Sequence, residues 1–235
     1  MSADKDQVKD PLERIKFLLE SKSTAKQITY KNLLAAFNLL RKEASRIATD
    51  LTSKAKPSDD DVTIYFRDVN EHEFEVKLAG DLLVFVLHTN IVTFDPNSPI
   101  MKDPYIHQSP VNRYFGQIMI YNFMADSLKY NRINDPGYLL VRLLINHEGR
   151  YVVEGDGNLA SLADRILPEP ISPPELEVLV KIAMTLAIEN DLMAPAFPDV
   201  RFITVHQKLE KTQELGAGQK IGFQMSYQDS VTATK

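Results

Sequence analysis

The chain of 235 residues is long enough to bury a full core, and its 44% hydrophobic and 25% charged residues are those of a globular protein. A formal charge of −5 disfavours non-specific attachment to nucleic acid or to an anionic membrane. The absence of cysteine excludes disulfides, thiolate metal sites and thiol nucleophiles together, and it fits a cytoplasmic location.

Met1 to Asp10 is polar, with no apolar stretch of signal-peptide length behind it. Nowhere does the chain approach the ~18 apolar residues of a membrane-spanning helix. Pro11 to Glu20 carries Leu12, Ile15, Leu18 and Leu19 at helical spacing, with Asp10 as N-cap and Pro11 in the first position. A longer helix is predicted from Thr29 to Ala55. In it Tyr30, Leu33, Phe37, Leu40, Ala44, Ile47 and Leu51 recur at alternating steps of three and four, a heptad seam. Residues 1–56 are therefore expected to form an N-terminal helical arm, folded as a helical hairpin. Two uses of the seam compete. It packs lengthwise on the chain's own sheet, or it joins two copies as a symmetric homodimer. The first helix, about 15 Å long at ~1.5 Å per residue, covers only part of the second, and other helices are available to cover the sheet. The dimer is preferred on that ground.

The character of the chain changes at Lys56-Pro57, and residues 57–228 are expected to form an α+β domain. Val62, Ile64 and Phe66, then Phe74, Val76 and Leu78, alternate with polar residues as two strands of a hairpin. Leu82 to Phe94 is apolar on both faces in its first half, the mark of a central strand. Asp95 to Asn112, with four prolines, is an irregular segment long enough to form the rim of a ligand or partner site. Tyr105 and His107 within it, and Arg113 and Tyr114 after it, are the candidate binding residues. Arg113 to Ala125 returns to strand character, with Gly116 as a bulge or a point of close backbone approach. Tyr138 to Asn146 and Tyr151 to Val153 form a hairpin around Asn146-His147-Glu148-Gly149, read as a type I turn closed by a glycine in the left-handed region, and Glu154-Gly155-Asp156-Gly157 ends the pair. A short helix is expected over Asn158 to Leu167. A largely buried one, opened by a capping box at Ser172 and Glu175, is expected over Pro174 to Asn190. Val200 to Leu209 and Gln219 to Tyr227 suggest a last hairpin, and residues 229–235 a disordered tail. The sum is an α+β fold, a mainly antiparallel sheet of about seven or eight strands flanked by helices.

Chemical signatures are sparse. Gly155-Asp156-Gly157-Asn158-Leu159-Ala160 has dinucleotide-loop spacing, but Glu154 and Asp156 put negative charge where a pyrophosphate would sit, so it is read as a strand-to-helix turn. Glu75-Val76-Lys77, on a strand sixteen residues after Asp59, resembles the acidic-x-Lys half of the PD-(D/E)xK nucleases. That resemblance implies a metal-dependent phosphodiesterase in which Asp59 or Asp61 and Glu75 hold a divalent ion while Lys77 activates water. The plainer reading of Glu75 and Lys77 is the solvent face of an amphipathic strand. The histidines form no metal-ligand motif, and no serine stands in a nucleophile elbow. The preferred expectation is a non-enzymatic binding or assembly protein with an unidentified protein partner, calling for no metal or cofactor.

Overall fold

The computed structural model describes residues 10–133, 135–155, 159, 165–191, 196–202, 204, 205 and 208. Asp10 caps the first helix, accepting a hydrogen bond from the Leu12 N–H at 3.0 Å, and Pro11 sits in the first turn, where its missing N–H is harmless. That helix, α1 (Pro11–Leu18), runs through a π-helical turn (Leu19–Ser23) straight into α2 (Thr24–Lys54). The expected helical hairpin is thereby corrected to a single rod of about 66 Å at ~1.5 Å per residue. No proline or glycine stands between Leu12 and Lys54 to stop it. Across the π turn the Ser21 hydroxyl donates to Phe17 O at 2.6 Å and the Thr24 hydroxyl to Leu19 O at 3.0 Å.

Six strands come after the rod: β1 (Ile64–Asn70), β2 (Glu73–Leu78), β3 (Asp81–Val92), β4 (Phe115–Met124), β5 (Tyr138–Asn146) and β6 (Tyr151–Gly155). They pair in chain order as one antiparallel meander. Gly149, at φ +81°, closes the β5–β6 turn in the left-handed region that the sequence assigned to it. The described residues thus hold six strands where seven or eight were expected. The last expected hairpin lies almost wholly outside them, and Val200 ends a short helix, α6 (Phe197–Val200), with proline in its first turn. Most of the expected helix Asn158–Leu167 and the tail 229–235 also lie outside the described residues. A short helix, α4 (Ala125–Lys129), follows β4, and in α5 (Pro173–Glu189) the capping box forms as read, Glu175 accepting from the Ser172 N–H and hydroxyl at 2.7 Å each.

One core holds α2, α5 and the sheet together. Phe74 stands at its centre, stacked on Phe85 at 4.4 Å between centroids and flanked by Phe37 and Phe66. Leu33, Phe37, Leu40 and Ile47 of the heptad seam are buried on this sheet, and Tyr30 and Leu51 are half-buried against it. That corrects the seam's assignment: a surface already covered within the chain is not open to a second copy. The helix approaches closely because β4 has no side chain at Gly116, where a Cβ would lie 2.7 Å from Leu33 Cδ2. The proposed boundary at residue 56 therefore cuts through a shared core, and the piece that stands apart is α1.

On the opposite face the segment 95–112 is folded, not loose. It forms a 3₁₀ turn (Pro99–Lys102) and α3 (Pro104–Gln108), which pack Ile100, Tyr105 and Ile106 on Phe115, Leu144 and Val152. The outer edge of β1 is guarded by α2. The Thr52 hydroxyl donates to Ile64 O at 3.3 Å, and Arg41 Nη2 donates to Asn70 O at 2.7 Å and Glu71 O at 3.0 Å. Such side chains block edge-to-edge pairing.

Candidate functional site

At 3.6 residues per turn, Leu12, Ile15, Leu18 and Leu19 fall within about 120° of helix circumference, and Phe17 lies on the far side. In a surface helix such a stripe faces a core. Here it faces none: Leu12 is 68% exposed, Ile15 54%, Leu18 41% and Leu19 58%, and neither α1 nor the π turn contains a buried residue. Burial begins at Ala25 and Thr29, so the first turns of the rod project from the body by about 20 Å. The projecting part carries acids and bases together, namely Glu13, Arg14, Lys16, Glu20 and Lys22.

The root of this projection is basic and aromatic. Lys22 and Lys26 place their ammonium groups 5.7 and 5.0 Å from the centre of the Tyr114 ring. Arg113, beside it, donates to the Thr93 hydroxyl at 3.2 Å. An open depression of about 520 Å³ adjoins, lined by Lys26, Gln27, Tyr30, Thr89, Asn90 and Ile91. Tyr30 shares a 2.9 Å hydrogen bond with His72 on one side of it. Of the four residues the sequence gathered around the proline-rich segment, Arg113 and Tyr114 are at this root. His107 is exposed on α3. Tyr105 is elsewhere and only 5% exposed, which corrects its place on a rim.

Tyr105 anchors a polar cluster that the sequence did not reveal. The Asn146 amide donates to the Tyr105 hydroxyl at 2.7 Å and its Oδ1 accepts from the Glu148 N–H at 3.0 Å. Asn112 donates to Tyr105 O at 2.8 Å, and the Arg150 guanidinium lies 4.0 Å from the Tyr105 ring centre. From α2, Asn32 donates to the carbonyls of Asn146 and His147 at 3.2 and 2.9 Å. Burial, with the Glu148 carboxylate beside it, pushes the Tyr105 hydroxyl far above its ordinary pKa, so it stays protonated. Burial also lowers the His147 pKa, against a smaller opposing pull from Glu148, and His147 Nδ1 is buried without a hydrogen-bond partner among the described residues. The cluster ties the β5–β6 turn to α2 and α3. Of the cluster's buried side-chain nitrogens and oxygens, only that nitrogen lacks a hydrogen-bond partner among the described residues, which is the pattern of a structural network. Asn146 was legible as the first residue of the hairpin turn; its partner Tyr105, forty-one positions away, was not.

The residues of the nuclease resemblance are not assembled around a shared point. Glu75, 4% exposed, faces Arg67 across the β1–β2 ladder, its Oε2 accepting from Nε at 2.7 Å and lying 2.5 Å from Nη2. Lys77 donates to the Thr63 hydroxyl at 2.5 Å. Asp59 accepts from the Asp61 N–H at 2.8 Å in an exposed turn. The carboxylate that would hold a metal thus has a guanidinium in front of it, and among the described residues no three of His, Asp and Glu gather as a metal-holding group. No described helix is long and apolar enough to cross a membrane. The chain matches no family model, no curated protein and no solved structure.

Proposed function

We propose that this protein works by binding, as a non-enzymatic assembly protein whose contact element is the projecting helix α1. The observation that carries the reading is the exposure of Leu12, Ile15, Leu18 and Leu19 on one arc of a rigid rod. Solvated helices put polar residues on the outside, and an apolar stripe left in water marks a surface that meets something apolar. An amphipathic helix recognises a groove or another helix through anchors at i, i+3 and i+7, the spacing of Leu12, Ile15 and Leu19. A membrane surface suits the stripe less well, because interfacial helices carry an excess of lysine and arginine, whereas acids and bases are interleaved here. The partner is therefore a protein, and the reading calls for no cofactor.

A photo-crosslinking amino acid placed at Leu12 or Leu18 of the full chain in cells tests this. A discrete covalent adduct with protein at both positions, lost when Ile15 and Leu19 are changed to glutamate, is the expected result. Irradiation that yields no adduct at either position overturns the reading.

A further inference from the structure

We propose that the depression at the root of the rod binds a phosphorylated small molecule, with the phosphate between Lys22 and Lys26 and the polar body of the ligand in the depression. The two lysines stand one helical turn apart, and both ammonium groups lie over the single Tyr114 ring, 5.7 and 5.0 Å from its centre. Like charges at that spacing repel. A phosphate between them replaces the repulsion with charge-assisted hydrogen bonds on both sides. The surrounding chain reinforces the sign. Asp and Glu outnumber Lys and Arg by 32 to 27 overall, yet residues 21–42 of the rod contain no acid. Neither do residues 82–94 and 104–125, which bring β3, β4 and Tyr114 to the same place. Glu71 reaches the rim through His72, its carboxylate 3.2 Å from Nε2. A concave surface lined by one sign of charge concentrates ligands of the other.

A break in the sheet shapes the depression. β3 and β4 pair as far as His88 with Gln117 and resume at Val92 with Phe115, which leaves Thr89, Asn90 and Ile91 opposite Gly116 alone. Such a bulge re-aims side chains, and these three line the depression together with Lys26, Gln27 and Tyr30 of the rod. Lys26 belongs to both places, so the phosphate and the body of one ligand are adjacent. The amides of Gln27 and Asn90 and the Thr89 hydroxyl each donate and accept, as a hydroxyl-bearing body requires, and Tyr30 and Ile91 offer it apolar surface. Tyr30 is steadied by its 2.9 Å bond to His72. Arg113, next to Tyr114 and bonded to Thr93 at 3.2 Å, adds a third cation at that end of the sheet. The volume of about 520 Å³ is that of a small-molecule site, and the chain's formal charge of −5 opposes a polyanion. None of the lining residues belongs to α1, so this site and the contact proposed for α1 stand or fall separately.

Amide NMR titration of the full chain at constant ionic strength tests the site. The probes are inorganic phosphate, glycerol phosphate, a hexose phosphate and adenosine monophosphate, with sodium chloride as the control. Inorganic phosphate is expected to saturate with a Kd on the order of 1 mM, moving the amides of Lys22, Lys26, Asn90 and Tyr114 together. At least one ester should bind about tenfold more tightly, because its body adds contacts in the depression. Lys22→Ala with Lys26→Ala should weaken every probe by about tenfold or more. Asn90→Ala should weaken the esters and leave inorganic phosphate unchanged. Lys22 and Asn90 are exposed and Lys26 half-buried, so circular dichroism should be the same in all variants. Shifts that do not saturate, or that chloride reproduces, overturn the site. Unaltered binding in the double lysine variant overturns the placement of the phosphate, and no gain for any ester over inorganic phosphate overturns the small-molecule ligand.

Discussion

Asn146→Ala is the substitution that most sharply tests the polar cluster, because its side chain is fully buried and satisfies two groups at once. Removing it strands the Tyr105 hydroxyl, itself buried, and the Glu148 N–H at the turn. Leaving a buried polar group unpaired costs about 1–3 kcal/mol, and the turn N–H, being only partly buried, falls at the low end of that range. With the small void added, a loss of about 3 kcal/mol is expected. Tyr105→Phe removes the same hydrogen bond from the other side and leaves the Asn146 amide without its acceptor, for about 1–2 kcal/mol. Residues in direct contact are not additive, so the double variant should be less destabilised than the sum by about 1 kcal/mol or more. Urea unfolding followed by circular dichroism reads all three, with an unchanged slope as the check that only the native state was altered. A loss below about 1 kcal/mol for Asn146→Ala, or strict additivity with Tyr105→Phe, would refute the claim that this network fastens the β5–β6 turn to α3.

Three other outcomes are expected. Phe74→Ala, emptying the place where Phe37, Phe66 and Phe85 meet, should cost about 3–5 kcal/mol in the same assay. Leu12→Glu or Ile15→Glu should change unfolding free energy by no more than about 0.5 kcal/mol at concentrations where the chain is monomeric, while Leu33→Glu in the buried face should prevent folding. For His147 the sign comes from its lowered pKa. The unfolded chain takes up the proton first as pH falls, so the contribution of neutral His147 is whole above the ordinary value of 6.5 and declines from there towards its folded pKa. Stability measured against pH should lose part of that slope in His147→Gln, and an identical profile in the two proteins would show that burial does not hold the imidazole neutral.

The sheet was legible because its strands alternate cleanly and its turns are short. Phe74, Val76 and Leu78 declare one face, and Gly149 declares the hairpin turn by the conformation only glycine adopts easily. The rod was half legible. Two apolar stripes, one at Leu12 to Leu19 and one from Tyr30 to Leu51, looked like two helices across the mainly polar stretch Glu20 to Gln27, although at about 100° per residue both fall on one arc. The π turn between them holds one more residue than an α turn and so rotates the first stripe away from the buried face of the second. The absence of proline and glycine there was the better signal, and it pointed to continuity. The seam was rightly identified as a contact surface and given the wrong occupant. Periodicity shows that a face is covered, and only the sheet's proximity, admitted by Gly116, shows by what. Tyr105 failed for a related reason. A proline-rich segment suggests exposure, yet the alternate face of β4 to β6 carries Phe115, Leu144 and Val152, and the segment's own 3₁₀ turn and α3 are what cover it.

The continuity of the rod also explains how an uncovered apolar helix persists at all. An isolated helix shorter than ~12–15 residues is marginal in water, because the nucleus costs more than the first hydrogen bonds return. For α1 that nucleus already exists in α2, held by the core, so each residue from Ser23 back to Pro11 only propagates a formed helix. Asp10 closes the far end with a cap, and the chain thereby keeps an apolar stripe in helical shape with no buried residue in α1. The binding proposed for α1 would thereby avoid the ~1–2 kcal/mol per residue that ordering a flexible segment costs. The π turn fixes the remaining variable. It sits where the rod leaves the sheet, held by the hydroxyls of Ser21 and Thr24, and sets the azimuth at which Leu12, Ile15 and Leu19 are presented relative to the body. Because one residue is worth about 100° around a helix, an uninterrupted α-helix would turn the same stripe through roughly a right angle. Which way the stripe faces is therefore decided by the extra residue of the π turn as much as by the leucines themselves.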